Sequence, residues 1–195
     1  MDDGLMVGPD GRTRCWWPGD DAQYLAYHDT EWGVPVHDDR RLFEKVCLEG
    51  FQSGLSWLTI LRKREAFREV FAGFDAEAVA RFDESDVQRL LGDARIIRHR
   101  GKIEATIANA RCVADLHAAG DTFDALVWSF APDPVPPRPR RLADVPATTP
   151  ESTALAKALK RRGFRFVGPT TAYAFMQSMG IVDDHMAACE VDGRA

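Results

Sequence analysis

From Leu42 to Trp57 the chain reads LFEKVCLEGFQSGLSW, with Leu42, Phe43, Val46, Cys47 and Gly50 recurring at spacings of one, three and four. That is the apolar stripe of an amphipathic helix. Glu49 lies seven positions after Leu42 and three after Val46, which puts its carboxylate on or beside the stripe. A carboxylate withdrawn from water needs partners or a proton. The stripe stops at a small, polar, flexible turn (Gln52, Ser53, Gly54), and an aromatic-led helix starts at Trp57. An acidic acceptor beside a tight turn and a large ring would make the floor of a pocket. The same periodicity equally allows Glu49 to bend out to solvent from a helix end.

The remainder of the pattern is also helical. Residues 1–13 are expected to be a disordered extension, followed by a single domain over 14–195. A short helix is expected from Asp21 to Asp29, carrying Tyr24, Tyr27 and His28. Trp57, Ile60, Leu61, Phe67, Phe71 and Phe74 mark the core face of one long helix, and Asp75 the N-cap of a shorter one. Ser85 with Gln88 reads as a capping box, for a helix ending near Gly92. Ile103, Ile107, Ala110 and Ala114 hold a helical register from Lys102 to Ala118, and a further piece runs from Phe123 to Phe130. Five prolines between 132 and 139 exclude helix there. Pro150 opens a helix stopped by Gly163, Gly168-Pro169 opens another ending at Gly180, and a last short one is expected from Asp183 or Asp184. Without an alternating strand pattern, the fold class expected is all-α.

Composition changes this picture little. At 195 residues and 45% hydrophobic content the chain suits a soluble globular protein. The longest uncharged run, Phe166 to Val182, has Gly, Pro, Thr, Gln and Ser within it and fits a buried helix better than a membrane span. The N-terminus shows no export signal, so a cytoplasmic location with reduced cysteines is the expectation. A net charge of −5 argues against coating nucleic acid. The basic residues nevertheless cluster, as Arg95, Arg98, Arg100 and Lys102 and as Lys157, Lys160, Arg161, Arg162 and Arg165. Such clusters suit contact with a polyanion along one face, although solvated helix ends read the same way.

Two groups carry candidate chemistry. His185 and Cys189 stand four apart in the expected last helix, on one face, and with Cys15 and His28 they make up a tetrahedral Cys2His2 set for zinc. Four protein ligands leave no open position, so such a metal would be structural. Spacing alone is met as well by thiols that are merely buried. The second group is KALKRRGFRFVGPTTAY, residues 157–173, which reads as helix, glycine stop, turn, glycine-proline, helix. Gly163 and Gly168 let backbone approach closely, the second helix's N-terminus directs N–H groups outward, and Thr170 and Thr171 add hydroxyls. That arrangement suits phosphate, and an ordinary charged turn would look the same.

Taken together, CWWPGDDAQYLAYHDTEWGVPVHDDRRLFEKVCLEGFQSGLSWLTILRKRE, RIIRHRGKIEATIANA and LKRRGFRFVGPTTAYAFMQSMGIVDDH resemble the bacterial DNA-3-methyladenine glycosylase I family. The resemblance runs from about Arg14 to Cys189, in order and with matching spacing. It implies a helix-hairpin-helix DNA glycosylase fold with the hairpin at Lys160–Thr171, and hydrolysis of the N-glycosidic bond of 3-methyladenine in double-stranded DNA. It also implies one structural zinc on Cys15, His28, His185 and Cys189, with no organic cofactor. By the same resemblance Glu49 recognises the methylated base and is the catalytic candidate. Tyr27 and Trp57 enclose the base, and Trp17, Tyr24 and Trp32 line the site. Gln52, Ser53, Gly54 and Leu55 enter the duplex, and Lys160, Gly163, Gly168, Thr170 and Thr171 meet the phosphates.

Many relatives in the wider superfamily use an aspartate downstream of the hairpin. Asp183 and Asp184 fall closer to the hairpin than that and abut His185, so the expectation for them is support of His185. A monomer is sufficient for all of this. The competing class is a non-catalytic DNA- or partner-binding module whose aromatic residues are core. Glu49 discriminates, because a binding module has no use for a carboxylate under aromatic rings. A zinc hydrolase is disfavoured by the absence of a water position.

Overall fold

In the computed structural model, which describes residues 4–191, the central element is α2 (Asp39–Gln52). Asp38 caps it, its carboxylate accepting the Arg41 backbone N–H at 2.8 Å. Every residue from Leu42 to Phe51 is buried, so the helix has no solvent face at mid-length. Around it pack α3 (Trp57–Leu61), α7 (Arg100–Ala118), α8 (Phe123–Trp128) and α10 (Pro169–Ser178). Burial on all sides means the charged residues of α2 must find partners. Glu44 takes Arg68 at 2.9 Å and Glu49 takes Lys45 at 2.8 Å.

The peripheral helices follow from local signals. These are α1 (Ala22–Thr30), α4 (Arg64–Val70), α5 (Ala76–Ala80), α6 (Glu84–Gly92) and α9 (Pro150–Arg161). Asp75 caps α5 as expected, and Pro150 occupies the first turn of α9 behind a Thr149–Ser152 capping box. The cap of α6 is Asp83, paired reciprocally with Asp86, and not Ser85. An aspartate two residues upstream offers the stronger acceptor to the same free N–H groups.

Two expected helices are corrected by tertiary contacts. The single helix expected from Trp57 to Phe74 is α3, α4 and a 3-10 turn at Ala72–Phe74. The break at Lys63 is anchored by its ammonium, which donates to the Ala94 and Arg95 carbonyls at 3.3 and 2.9 Å. It lets Phe67 lie 4.6 Å from Phe51 across the core. No helix forms after Asp183, because the Asp183 carboxylate takes the His185 backbone N–H (3.1 Å) and the Ala187 N–H donates to the Pro139 carbonyl (2.8 Å).

The class is mostly helical, as expected, with a small two-stranded sheet added. Leu5–Val7 (β1), in the stretch expected to be disordered, and Thr13–Cys15 (β2), which straddles its end, form an antiparallel hairpin. Nothing local predicts it, since each strand has three residues. Arg14 holds it in place, its guanidinium on Asp10 (2.6 Å) and Asp29 (2.7 Å). Residues 1–3 of the expected extension and 192–195 of the expected domain lie outside the described residues. Among those described, no helix is long and apolar enough to cross a membrane.

One backbone crossing ties the segment after α1 to the end of α10. Gly180, at φ +68°, passes so close to Val34 and Pro35 that a Cβ there would fall on the Pro35 nitrogen and lie 2.7 Å from its Cα. The Val36 N–H donates to the Met179 carbonyl at 3.1 Å across the same junction. Gly180→Ala should therefore lower the unfolding free energy by about 3 kcal/mol, from αL strain plus a backbone clash. Urea titration checks this, and an unchanged midpoint would refute it.

Candidate functional site

Glu49 does not bend out to solvent. It is 5% exposed and lines a cavity of about 250 Å³ whose walls include Trp17, Tyr24, Tyr27, Trp32 and Trp57. Gln52, at the end of α2, lines the same cavity. The rings interlock: Trp17 lies 4.8 Å from Tyr24 and 5.1 Å from Trp32, and Tyr27 lies 5.5 Å from Trp57. Burial first, and Glu49 behind it, pushes the Tyr24 hydroxyl up to about 12 and that of Tyr27 well above the ordinary phenol range. Both phenols are therefore neutral at physiological pH. Aromatic walls over the Glu49 carboxylate suit a flat, partly polar, nitrogen-bearing ring.

Beneath the carboxylate sits Lys45, one helical turn earlier. Its ammonium lies 2.8 Å from Glu49 Oε1, 2.9 Å from the Tyr27 hydroxyl and 3.1 Å from the Trp57 ring centroid. Burial pulls it down to about 8, with Glu49 opposing that shift. One face of Trp57 is thus already occupied by a cation.

Next to Trp17 and Trp32 the ligand atoms of Cys15, His28 and Cys189, all buried, lie within 4.8 Å of one another, and Cys15 also borders the cavity. His28 Nε2 is 3.8 Å from Cys189 Sγ. In each histidine a carboxylate holds Nδ1: Asp29 at 2.8 Å on His28, and Asp183 at 2.8 Å on His185. That leaves Nε2 of both rings as the lone-pair donor. His185 falls outside the three-residue group, its ring centroid 5.0 Å from that of His28. Its Nε2 is nevertheless buried with no hydrogen-bond partner. An orphaned imidazole nitrogen beside two thiols and a second such nitrogen fits a divalent metal of borderline softness. Gly33, at φ +82°, is placed where a Cβ would meet the His185 ring at 2.7 Å.

The turn after α2 is exposed and braced. Leu55 is 40% exposed, and the buried Lys102 donates to the Phe51 and Ser53 carbonyls at 2.8 and 2.6 Å. The second turn, residues 162–168, joins α9 to α10. Asn109 clamps it by accepting the Arg165 N–H at 2.7 Å and donating to the Arg165 carbonyl at 3.2 Å. Lys160, Gly163 and Thr170 are exposed there, and Gly168 and Thr171 half-buried. No side chain caps the N-terminus of α10. The two basic clusters differ. Arg95 and Arg100 are held by Asp93, Glu69, Glu84 and Glu104, whereas Lys157, Lys160, Arg161, Arg162 and Arg165 are all exposed around the turn.

The family profile described as methyladenine glycosylase matches residues 17–192. The chain belongs to the methyladenine glycosylase family. It is 51% identical to "DNA-3-methyladenine glycosylase 1" of Escherichia coli K12 over 177 residues, covering 90% of this chain and 95% of that one. A crystal structure of 3-methyladenine DNA glycosylase I superposes with a TM-score of 0.88 at 52% identity, covering 91% and 98% of the two chains. The Staphylococcus aureus 3-methyladenine DNA glycosylase I, from a study of 3-methyladenine recognition, gives 0.84 at 37% identity, covering 88% and 92%.

In this methyladenine glycosylase the structure adds groups that the sequence analysis passed over. Lys45 stands four residues before Glu49, a spacing that could have flagged the pair. Asp29 adjoins His28 in sequence. Of the two candidates for support of His185, Asp183 provides it. Asp184 instead accepts from the Tyr173 hydroxyl at 2.6 Å and the Gln177 amide at 2.7 Å, and both Gln177 and Asp184 line the cavity. Lys102 and Asn109 carry no sequence signal for their bracing roles.

Proposed function

We propose that this chain extrudes an N3-methylated adenine from double-stranded DNA into the aromatic cavity and hydrolyses its N-glycosidic bond, releasing 3-methyladenine and leaving an abasic site. The observation that carries the reading is Glu49, a carboxylate facing an apolar ring-walled cavity when it could have been solvated. Packing alone gives no reason to keep it there.

Extruding the nucleotide opposes stacking and pairing by a few kcal/mol, less for a damaged base. Leu55, at the tip of the turn after α2, fills the vacated stack, with Gln52, Ser53 and Gly54 shaping that tip. The turn between α9 and α10 is the hairpin of a helix-hairpin-helix module. The free N–H groups around Gly168, Thr170 and Thr171, with Lys160 and the close approach at Gly163, receive the phosphates beside the lesion.

Methylation at N3 makes the attached base cationic. When the N9–C1′ bond breaks, its electron pair passes to the ring, which leaves neutral, and a water oxygen bonds to C1′ and sheds its proton to solvent. Little acid catalysis is then required of the protein. Glu49 accepts hydrogen bonds from the donor positions of the damaged ring, while Tyr27 and Trp57 enclose it and Trp17, Tyr24 and Trp32 complete the wall. Because Lys45 already occupies a face of Trp57, cation–π attraction through that ring is shared with the lysine and does not add its full ~0.5–2 kcal/mol. Ordinary adenine is rejected through its donor pattern, which leaves the polar groups of the site unpaired.

The metal is assigned as one zinc held by Cys15, His28, His185 and Cys189. When bound, it supplies a structural cross-link between the N-terminal hairpin, α1 and the C-terminal segment. The Nδ1 bonds to Asp29 and Asp183 orient the two imidazoles for that role.

Purified protein incubated with alkylated duplex DNA, and with no cofactor added, should release free 3-methyladenine. A folded preparation that released none would overturn the proposal in favour of a binding module.

A further inference from the structure

Lys45 is only 5% exposed, and its ammonium touches three groups that line the base cavity: Glu49, Tyr27 and the ring of Trp57. Lys45 itself is reached from the opposite side, through a small cleft that also borders Glu31, Arg41, Glu44, Arg64 and Arg68. There, Arg64 pairs with Glu31 and Arg68 with Glu44. A buried ion pair is weak evidence of stabilisation, since an apolar side chain of similar length often serves the fold as well or better. The position of Lys45 points to the ligand and away from the fold.

We infer that Lys45 is a specificity-determining residue of the pocket: it cancels the charge of Glu49, so that the damaged base meets that carboxylate acceptor in a less negative field, with Asp184 as the remaining anion of the wall. The inference rests on the cavity being the damaged-base site. Its consequence is kinetic. Glycosidic cleavage moves positive charge off the base and onto the sugar, so a net negative pocket would hold the cationic nucleotide in its ground state more than the transition state. With Lys45 in place that ground-state bias is lowered to what Asp184 contributes.

The charged and titratable groups around Lys45 come from several elements. Glu49 and Glu44 share α2, and Tyr24, Tyr27 and Glu31 come from α1 and its end. Arg64 and Arg68 lie on α4, and Asp184 faces the cavity from beyond α10. Burial brings the Lys45 ammonium down to about 8, so raising the pH from 7 to 9 should discharge it and unmask Glu49.

The test measures binding of two probes, 3,9-dimethyladeninium, which is a permanent cation, and neutral 3-methyladenine. Lys45→Met should bind the cation at least tenfold tighter at pH 7 while 3-methyladenine changes less than threefold. Its KM and kcat on alkylated duplex should both fall. In the parent the cation should bind more tightly at pH 9 than at pH 7, and in Lys45→Met the two values should agree. Lys45→Met/Glu49→Gln should lose the gain for the cation. Lys45→Gln, which keeps a polar contact with Tyr27, should show the same change in cation-to-neutral ratio and stands in if the Met variant does not fold. A ratio unchanged within twofold, in a folded variant and at both pH values, would overturn the role of Lys45. Failure of the parent to bind either probe would overturn the base-site assignment itself, a distinguishable result.

Discussion

Glu49→Gln should lower single-turnover release of 3-methyladenine by about a hundredfold while the chain stays folded. The carboxylate is the acceptor under the base, and an amide in its place can offer only one acceptor oxygen, next to a donor that faces the ring's own donors. Each charge-assisted hydrogen bond contributes about 1.5–3 kcal/mol, and a loss near 3 kcal/mol corresponds to roughly a hundredfold in rate. Folding survives because of what lies beneath. Lys45 would lose its anion, but burial already brings it to about 8 and Glu49 is the main group opposing that shift, so without Glu49 it can shed its proton. The Tyr27 hydroxyl at 2.9 Å remains as its partner. The fold should therefore weaken by no more than about 1–3 kcal/mol, the cost of an imperfectly satisfied buried polar group. Base release and urea denaturation on one preparation check both halves. Release at the parental rate would remove Glu49 from the chemistry.

Loss of the metal should act on stability before it acts on the pocket. Protein purified without chelators should carry one zinc per chain by elemental analysis, and His185→Ala or Cys15→Ser should carry little. A metal present at a thousand times its dissociation constant stabilises the native state by about 4 kcal/mol. For a chain of this length that corresponds to a fall of roughly 8–16 °C in melting temperature when the metal is removed. The effect should be large because the ligands are distant in sequence: Cys15 is on β2, His28 on α1, and His185 and Cys189 near the other end of the chain. Without the cross-link the hairpin keeps Arg14 with its two aspartates, the bonds between Thr13 and Glu190, and the packing of Leu5 beside Cys15, Met186 and Cys189. Finding no zinc, or finding melting temperatures that do not respond to chelator, would refute the assignment.

Much of the helical framework was legible in order along the chain, because a helix is decided by its own stripe and its own ends. The stripe of α2, the Asp75 cap and the openings at Pro150 and Pro169 are all local, and all stand where the sequence places them. Errors fall where a distant group intervenes. The helix after Trp57 breaks at Lys63, whose ammonium reaches the Ala94 and Arg95 carbonyls. The segment after Asp183 is not helical, because Asp183 and Pro139 take the backbone N–H groups a helix would need. The β1–β2 hairpin is held by groups distant in sequence: Asp29 takes Arg14, fifteen residues away, and Glu190 bonds Thr13.

The sequence by itself determined the helices, the acidic position on the α2 stripe, the glycine-proline turn with its basic flank, and a motif set specific enough to name a family. Only the tertiary structure decided whether the Glu49 carboxylate faces solvent or the cavity, since a stripe records which side of a helix is apolar and not what lies across from it. The same holds for the burial of the Lys45–Glu49 pair: its spacing is local to α2, but Tyr27 and Trp57 close over both. Three of the four metal candidates come within ligand distance, and the fourth keeps a buried nitrogen without a partner, by folding ends together that spacing could not relate. Periodicity is a property of neighbours along one helix, whereas burial, pairing and field are set by whichever residues the packed chain brings opposite.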